Sequence, residues 1–271
     1  MSEIEGLFDF LQCIYGLFGF TFKLKLSTRP EKYLGAIETW NYAEDQLKKA
    51  MTKFKGDDWT IDEGDGAFYG PKIDITIADA LKREFQCATI QLDYQAPINF
   101  KLEYVNKENP KEGEGEKKEG QNPNEPTAGR SRPVVIHRAI IGSFERFLGI
   151  ILEHFAGRLP FWLSPRQILI VPVMPDVNDY CEELQTILRA DKLNVDIDIS
   201  GNTLPKKILR GQQALYNFIF VVGKQERDTR SVNIRNRDDP ASQKLGTMVP
   251  LDEARAKLKA LRKERRLENK L

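Results

Sequence analysis

Residues Pro133–Gly157 constrain the fold most, because the spacing of the apolar residues changes in the middle of this stretch. The part before Gly142, PVVIHRAII, is rich in β-branched residues and predicts a strand. After Ser143 the apolar residues recur at helical spacing, at Phe144, Phe147, Leu148, Ile151, Leu152 and Phe155. Glycine can adopt the dihedrals of a sharp turn, and serine is a good N-cap. The stretch therefore predicts a strand, a turn at Gly142 and a helix.

Arg146 is unusual in this stretch because it lies in the first turn of the predicted helix. A cation there opposes the helix macrodipole at a cost of about 0.3–1 kcal/mol. The guanidinium, the amides of the helix N-terminus and the turn amides together form a set of donors that suits an anion. We expect a phosphate or nucleotide contact at Arg146. A solvated arginine beside Glu145 is the alternative.

The charge of the chain is balanced, with 41 Lys+Arg against 40 Asp+Glu and a formal net charge of +1 in 271 residues. Any nucleic-acid surface must therefore be a local patch. Cys13, Cys87 and Cys181 are too few and too far apart for a disulfide framework or a CxxC zinc site, which favours a reducing compartment. No apolar run reaches the roughly 18–20 residues of a membrane span, and the N-terminus is not a secretory signal. We expect a cytoplasmic protein without membrane segments.

Two regions with different patterns are separated by a low-complexity segment. The first has helical spacing at 4–18 and 37–54, a strand at 20–26 and short β-like runs from Trp59 to Val105, with a short helical link at 80–85, which predicts an antiparallel sheet. Residues Asn106–Arg132 are dominated by Glu, Lys, Gly, Pro and Asn and predict a disordered insertion. From Gln167 onward strands alternate with helices, and the boundary falls at Pro160–Pro165. The fold class predicted is an α+β domain with an antiparallel sheet, followed by an α/β domain with a mixed sheet.

Polar residues recur at two places in the predicted sheet of the first region. Tyr69 and Lys72 flank the Gly-Pro turn of YGPKID, where they suit a carboxylate or phosphate; a surface hairpin with a solvated lysine is the alternative. In the run EFQCATIQLDYQ, a strand places Thr89, Gln91 and Asp93 on one face, with Gln86 nearby. Amides and a carboxylate on a rigid strand suit amine, hydroxyl and ribose groups. The wet side of a sheet explains them equally well.

A histidine and a basic strand complete the candidates. His137 is one of two histidines and is flanked by apolar residues, so a packed core histidine competes with a metal ligand. A metal needs further ligands, which no nearby Cys/His pair supplies. In the second region, residues 224–230 and the alternating Asn233, Arg235 and Arg237 predict a basic hairpin suited to phosphate and base contacts.

Six motifs taken together resemble one known family. YGPKID, QLDY, IHRAIIGSFERF, FWLSPRQ, YNFIFVVG and VNIRNRD, in this order, closely resemble the eukaryotic-type cytosolic threonyl-tRNA synthetases. The resemblance covers nearly all of the chain except Asn106–Arg132. It implies that residues 1–163 are the later part of a class II synthetase catalytic domain and that residues 165–271 are an anticodon-binding domain.

The resemblance also implies roles for individual residues. Arg146 matches the arginine that holds the ATP triphosphate, and Gln86 and Thr89 fall where the family contacts ATP. Tyr69 and Gln91 fall where it holds threonine, and Lys72, beside them, is expected to serve catalysis with Arg146. His137 matches the last of three zinc ligands. The positions that match anticodon reading are Asn202, Gln225, Glu226 and Arg235.

The implied reaction uses ATP with Mg²⁺ and zinc to form threonyl-adenylate, and then transfers threonine to its tRNA. The implied partners are threonine, ATP, the tRNA for threonine and a second copy of the chain in a homodimer. The family's first two signatures, and the Cys and first His that share the zinc with His137, are absent from this sequence. We therefore expect this chain alone neither to retain zinc tightly nor to aminoacylate. Threonine-dependent pyrophosphate exchange by the purified chain would contradict that expectation.

Two other functions compete with a threonine-tRNA ligase. One is a non-catalytic RNA-binding or regulatory module that keeps only the activity of the anticodon domain. The other is a ligase for another amino acid with a similar anticodon domain, as in the prolyl, histidyl and glycyl enzymes. The run HRAIIGSFERF argues against the latter, because those enzymes do not need the zinc histidine.

Overall fold

The structure, a computed structural model, describes residues 2–78, 82–105, 126 and 129–271. The chain divides into two compact units, Met1–Ile151 and Leu152–Leu271. The division falls inside a helix that runs from Phe144 to His154. The domain limits expected from the sequence, 1–163 and 165–271, stay a prediction.

The first unit is built on a five-stranded sheet. Its strands are β1 (Phe22–Ser27), β2 (Trp59–Asp62), β3 (Lys72–Ala78), β4 (Glu84–Asp93) and β7 (Val135–Ala139), in the order β2-β1-β3-β4-β7. Its helices are α1 (Ser2–Leu17), α2 (Ile37–Lys55), α3 (Ala96–Asn99) and α4 (Phe144–His154). The pairs β1–β3, β3–β4 and β4–β7 are antiparallel, as expected, whereas β1 and β2 pair in parallel.

One face of this sheet forms the core. Leu24, Leu26, Ile73, Ile75 and Ile90 are at most 1% exposed, because alternate side chains of a strand point to the same face. The apolar stripes of α1 and α2 are buried in the same unit, as their spacing predicts. The opposite face of β3 and β4 carries the polar side chains described below.

Two further predictions for this unit differ from the structure. The helical link at 80–85 is wrong at its end, because Glu84 and Phe85 belong to β4, while Ala80 and Leu81 lie outside the described residues. The run from Ile98 to Val105 is not one strand. Ala96–Asn99 forms α3, since the carboxylate of Asp93 accepts the N–H groups of Gln95 and Ala96 at 2.8 Å each and Pro97 lies in its first turn.

The predicted disordered insertion lies mostly outside the described residues. Its end is described, however, and differs from the prediction. Strand β6 (Arg130–Ser131) pairs antiparallel with β5 (Tyr104–Val105). Residues at the end of the insertion are thus tied by backbone hydrogen bonds to the segment that precedes it.

The second unit is built on a mixed five-stranded sheet, as predicted. Its strands are β8 (Ile168–Pro172), β9 (Val195–Ile197), β10 (Phe218–Val222), β11 (Ser231–Asn236) and β12 (Thr247–Pro250), in the order β12-β11-β10-β8-β9. Its helices are α5 (Asn178–Ala190), α6 (Leu204–Gln213), α7 (Lys224–Asp228), α8 (Pro240–Leu245) and α9 (Leu251–Lys263). Strand β8 is parallel to β9 and β10, and the remaining pairs are antiparallel.

Helices cover the two faces of this sheet unequally. Helices α5 and α9 bury one face together with Val232 and Ile234 of β11. Helix α6 covers part of the other face through Ile208, which packs with Leu169 and Ile219. The hairpin predicted at 224–230 is wrong in its first part, since Lys224–Asp228 is the helix α7. No helix within the described ranges has the length and apolarity that a membrane crossing requires.

Candidate functional site

A β-bulge at Cys87 brings Gln86 onto the same face of the first sheet as Thr89 and Gln91. Ile75 pairs with Ala88 and Thr76 pairs with Gln86, so Cys87 has no residue opposite it. In a regular strand Gln86 would share the core face with Ala88. The bulge instead turns Gln86 to the polar face, where its Nε2 atom donates to Asp74 Oδ1 at 2.6 Å. Gln86 thus joins Thr89 and Gln91, and we call this surface of β3, β4 and β7 the polar face.

Tyr69 and Gln91 form a bonded pair on the polar face. The Tyr69 hydroxyl donates to Gln91 Oε1 at 2.5 Å, and Gln91 Nε2 approaches Thr89 Oγ1 at 3.4 Å. Burial, and to a smaller extent the negative charge of Asp93, raises the pKa of Tyr69. The phenol therefore stays protonated, and the pair presents fixed donors and acceptors to a small polar ligand.

Lys72 is held between two carboxylates that the sequence did not single out. Its Nζ atom lies 3.0 Å from Asp65 Oδ2 and 3.0 Å from Asp74 Oδ2, and the Ser27 hydroxyl also donates to Asp74 at 2.8 Å. Burial lowers the pKa of Lys72, but the hydrogen bonds and charges of the two aspartates outweigh it and raise the pKa. Lys72 is thus a fixed cation, and an anionic ligand would replace the more exposed partner, Asp65.

His137 lies opposite Gln91 in the register of β4 and β7, beside Asp93. Its Nε2 atom is 2.8 Å from Asp93 Oδ2. Burial raises the pKa of Asp93, but the N–H groups of Ala96 and Gln95 and the His137 ring together lower it, so the carboxylate stays ionised. Because Nε2 is engaged, only Nδ1 of His137 remains for another ligand.

These residues do not complete a zinc site. Among the described residues, no group of three His, Cys, Asp or Glu side chains is placed to hold a metal ion. His137 can supply one ligand, and Asp93 orients its ring as carboxylates commonly do for metal-bound histidines. We therefore derive no chemical step through zinc.

Arg146 lies in the first turn of α4, next to the turn that the sequence predicts. Gly142 has φ of +59°, and a side chain there would place its Cβ atom 2.9 Å from the Cys87 carbonyl oxygen, so the turn packs directly on the bulge. Ser143 Oγ accepts the Arg146 N–H at 3.3 Å, as an N-cap does. Burial raises the pKa of the Cys87 thiol, and the positive charge of Arg146 offsets only part of this effect. Arg146 itself is exposed, which leaves it accessible to an anion.

In the second unit, Asn233 and Arg235 alternate with the buried Val232 and Ile234 and therefore lie on the face opposite α9. Arg235 pairs with Ile219 across the sheet. Its Nη1 atom donates to the Gln243 carbonyl at 2.9 Å, and its buried Nε atom has no hydrogen-bond partner within the described part of the chain.

The other predicted anticodon residues lie where the parallel strands end. Gln225 and Glu226 are in α7, directly after β10, and Glu226 Oε2 accepts the Gly223 N–H at 2.8 Å. Asn202 lies in the turn before α6, and its Nδ2 atom donates to Ser200 Oγ at 2.8 Å. We call this place, at the carboxyl ends of β8, β9 and β10, the carboxyl edge. Ligands of open α/β sheets commonly bind at such an edge.

Known proteins match the chain in both sequence and fold. The model of the anticodon-binding domain family matches residues 167–261. The cytoplasmic threonine-tRNA ligase of Saccharomyces cerevisiae is 51% identical over 270 residues, which cover 100% of this chain and 34% of the relative. The cytoplasmic threonine-tRNA ligase 1 of Rattus norvegicus is 50% identical over 239 residues, 88% of this chain and 32% of the relative. The chain belongs to the threonyl-tRNA synthetase family.

A solved structure places the fold in the same family. The RNA-binding domain of the threonyl-tRNA synthetase from Cryptosporidium parvum superimposes with a TM-score of 0.84 at 42% identity, covering 96% of this chain and 60% of that one. The predicted fold class, a class II synthetase-like sheet domain followed by an anticodon-binding domain, is confirmed. The chain spans about a third of the length of the curated relatives it matches.

One predicted RNA contact, at Arg237, is wrong. Arg237, grouped with Asn233 and Arg235 by its spacing, is 7% exposed. Its guanidinium donates to Asp238 Oδ2 at 2.9 Å and to the Leu159 carbonyl at 3.1 Å. The β-bulge at Cys87 was missed as well, and the pattern E-F-Q-C-A-T, in which apolar and polar residues lose strict alternation at Cys87, is the trace it leaves in the sequence.

Proposed function

We propose that this chain is part of a threonine-tRNA ligase whose second unit binds the anticodon loop of the tRNA for threonine. The observation that carries the proposal is the placement of Arg235 and Asn233 on the face opposite α9 in the domain that matches the anticodon-binding family. A guanidinium and an adjacent amide are groups that read bases and phosphates. Asn202, Gln225 and Glu226 extend the proposed surface along the carboxyl edge.

The polar face is proposed to contribute to the binding of threonine and ATP. Gln86 and Thr89 would contact the nucleotide, and Arg146 would hold the triphosphate beside the N-terminus of α4. Tyr69 and Gln91 would orient the threonine. Lys72 would stabilise the negative charge of the adenylate.

Several further features follow the relatives and are proposed with the activity. ATP would arrive with Mg²⁺, and zinc is proposed with His137 as the one ligand that the described residues supply. The intact enzyme would act as a homodimer. A cytoplasmic location is proposed because the yeast and rat relatives are named cytoplasmic.

Binding of an anticodon stem-loop tests the proposal. The chain should bind the stem-loop of a threonine tRNA in a fluorescence anisotropy titration, and Arg235→Ala should weaken binding about tenfold, in line with roughly 1–3 kcal/mol for a base-reading arginine. Lys263→Ala is the control. It removes an exposed cation from the end of α9, the helix that covers the opposite face of the sheet, and should change the affinity less than twofold. Equal affinity of the wild type and Arg235→Ala would refute the RNA surface.

An RNA-binding module without ligase activity is the second candidate. The observation that favours it is that the solved relative from Cryptosporidium parvum is described as an RNA-binding domain and covers 96% of this chain. Stem-loop binding without any threonine-dependent pyrophosphate exchange, even after addition of zinc, would support this second candidate over the first for the chain on its own.

A further inference from the structure

Asp74 is a buried carboxylate that joins three strands of the first sheet. The residue lies in β3 and is 3% exposed. Its Oδ1 atom accepts Gln86 Nε2 from β4 at 2.6 Å, and its Oδ2 atom accepts the Ser27 hydroxyl from β1 at 2.8 Å. Lys72 Nζ lies 3.0 Å from the same Oδ2 atom. Because Asp74 is buried and both its oxygens are engaged, it can affect a bound ligand through these partners.

The sheet register places Asp74 among the residues proposed to contact the ligand. Asp74 pairs with Thr89, and Lys72, two residues earlier, pairs with Gln91. Residues directly opposite each other in a sheet share a face, as do alternate residues of one strand. Asp74 therefore lies on the polar face, in contact with both Lys72 and Gln86.

The two carboxylates beside Lys72 differ in how readily a ligand can replace them. The Asp74 side chain is 4% exposed, whereas the Asp65 side chain is 57% exposed. Asp65 lies in the loop between β2 and β3, and its Oδ2 atom is 3.0 Å from Lys72 Nζ. An anionic group of a ligand can take the place of Asp65, while Asp74 keeps the Lys72 ammonium where it is.

Asp74 also decides which end of the Gln86 amide a ligand meets. A carboxylate accepts hydrogen bonds and donates none, so it binds the Nε2 end of the amide. The Oε1 atom of the exposed Gln86 side chain is then the end that a ligand can contact, and it suits a donor such as a ribose hydroxyl. An asparagine at position 74 has one donor in place of one acceptor. It cannot hold both the Lys72 ammonium and the Gln86 Nε2 group as the carboxylate does.

We propose that Asp74 is a positioning residue of the polar face, which holds Lys72 and Gln86 in fixed places toward one ligand. Lys72 then supplies a cation for the anionic group of the ligand, and Gln86 supplies an acceptor for its ribose. Groups that are fixed before the ligand arrives need no reorganisation when charge develops. This inference rests on the proposed binding of threonine and ATP at the polar face and deepens it, because Asp74 would act through its two partners rather than on the ligand.

Binding of an adenylate analogue to the full chain tests the inference. The probe is a threonyl-adenylate analogue in which an anionic sulfamate group replaces the phosphate. In isothermal titration calorimetry, Asp74→Asn keeps the shape of the side chain but removes its charge. It should weaken binding about tenfold, the effect of losing one charge-assisted hydrogen bond. Asp65→Asn should instead strengthen binding, since it removes the group with which the analogue competes.

Glu84→Gln is the matched control. It removes one carboxylate charge from the same pair of strands. Glu84 pairs with the exposed Lys23 at 2.7 Å and lies opposite Ala78, at the other end of the β3–β4 pair from Lys72. The affinity for the analogue should change less than twofold.

The Lys72 amine gives a second readout that a purely structural role would not move. Its acetylation by acetic anhydride, followed across pH by mass spectrometry of the Lys72 peptide, reports the pKa of the amine. Burial lowers this pKa, but the hydrogen bonds and charges of Asp65 and Asp74 outweigh it. The Lys72 amine of Asp74→Asn should therefore react at lower pH than that of the wild type. Hydrogen exchange on β3 and β4 shows whether the variant folds.

The outcomes separate the inference from the proposed function. A folded Asp74→Asn variant that binds the analogue as tightly as the wild type would overturn the inference and leave the proposed function standing. If Asp74→Asn does not fold, Asp65→Asn decides: stronger binding supports the inference, and weaker or equal binding overturns it. A wild-type chain that does not bind the analogue would refute the proposed ligand site of the polar face, and the inference with it.

Discussion

Gly70→Ala should destabilise the first unit by more than about 3 kcal/mol, the size expected when a buried backbone contact is forced apart. A Cβ atom at Gly70 would lie 1.9 Å from the Leu92 carbonyl oxygen. Backbone atoms cannot move aside as a flexible side chain can. The neighbouring hydrogen bonds, from Leu92 N–H to the Pro71 carbonyl at 3.1 Å and from Tyr94 N–H to the Tyr69 carbonyl at 3.4 Å, would have to break. The bond between Tyr69 and Gln91 on the polar face would be lost with them.

Hydrogen exchange on peptides from β3 and β4 measures this effect without interference from the second unit. We expect protection of these strands to collapse in Gly70→Ala. Gly149→Ala is the control, because Gly149 lies in α4 with no heavy atom within 4 Å of the added Cβ. There alanine should stabilise the helix by roughly 0.5–1 kcal/mol. Protection of β3 and β4 in Gly70→Ala within about 1 kcal/mol of the wild type would show that the close approach at Gly70 is not required.

The elements with a regular period were predictable from the sequence. Helix α2 begins and ends within a residue of the predicted limits, since a long amphipathic stripe followed by Gly56 leaves few alternatives. Strand β10 was also predictable from the sequence, because its five consecutive apolar residues are typical of a strand that is buried on both faces. The polar alternation of Thr89, Gln91 and Asp93 was also predictable, and the three residues do occupy one strand.

What the sequence did not predict depends on contacts between distant residues. The parallel pairing of β1 with β2 is a choice of partner that no local period contains. The bulge at Cys87 moves Gln86 from the core face of the sheet to the polar face. One extra residue in a strand leaves little trace in the sequence pattern. The carboxylates Asp65 and Asp74 become site residues only because the register brings them to Lys72. Helix α7 was missed because five residues are too few to show a helical period.

Asn269→Ala should destabilise the second unit by about 2–4 kcal/mol, since it leaves buried polar groups unpaired at roughly 1–3 kcal/mol each. Asn269 is 2% exposed, and its Oδ1 atom accepts the buried Phe161 N–H at 3.0 Å. The Asn269 Nδ2 atom donates to the carboxylate of Asp238. The backbone carbonyl of Asn269 accepts a hydrogen bond from Asn236 Nδ2 at 2.6 Å. One side chain thus fastens the C-terminal segment both to the start of the unit and to the turn after β11.

Acidification should weaken the same network of hydrogen bonds and ion pairs around Asp238. Burial raises the pKa of Asp238, but hydrogen bonds and ion pairs with Arg237 and Arg158, and the bond from Asn269, outweigh it and lower the pKa from 3.8 to about 2. Because the folded pKa lies below the unfolded value, Asp238 stabilises the fold above about pH 4, and this contribution is lost as the pH falls from there toward 2. In Asn269→Ala the pKa of Asp238 is depressed less, so the variant should lose less stability over this interval than the wild type.

Urea denaturation followed by hydrogen exchange on peptides from β8 and β11 measures both effects. Glu268→Ala is the matched control. Its side chain is 71% exposed and, within the described part of the chain, pairs with Lys270 at the surface, so the free energy of unfolding should stay close to that of the wild type. If Asn269→Ala is as stable as Glu268→Ala at neutral pH, the C-terminal segment does not hold the unit together. If it instead loses stability at neutral pH but keeps the full acid dependence of the wild type, Asn269 acts through the Phe161 N–H alone, and Asp238 is held by its two arginines.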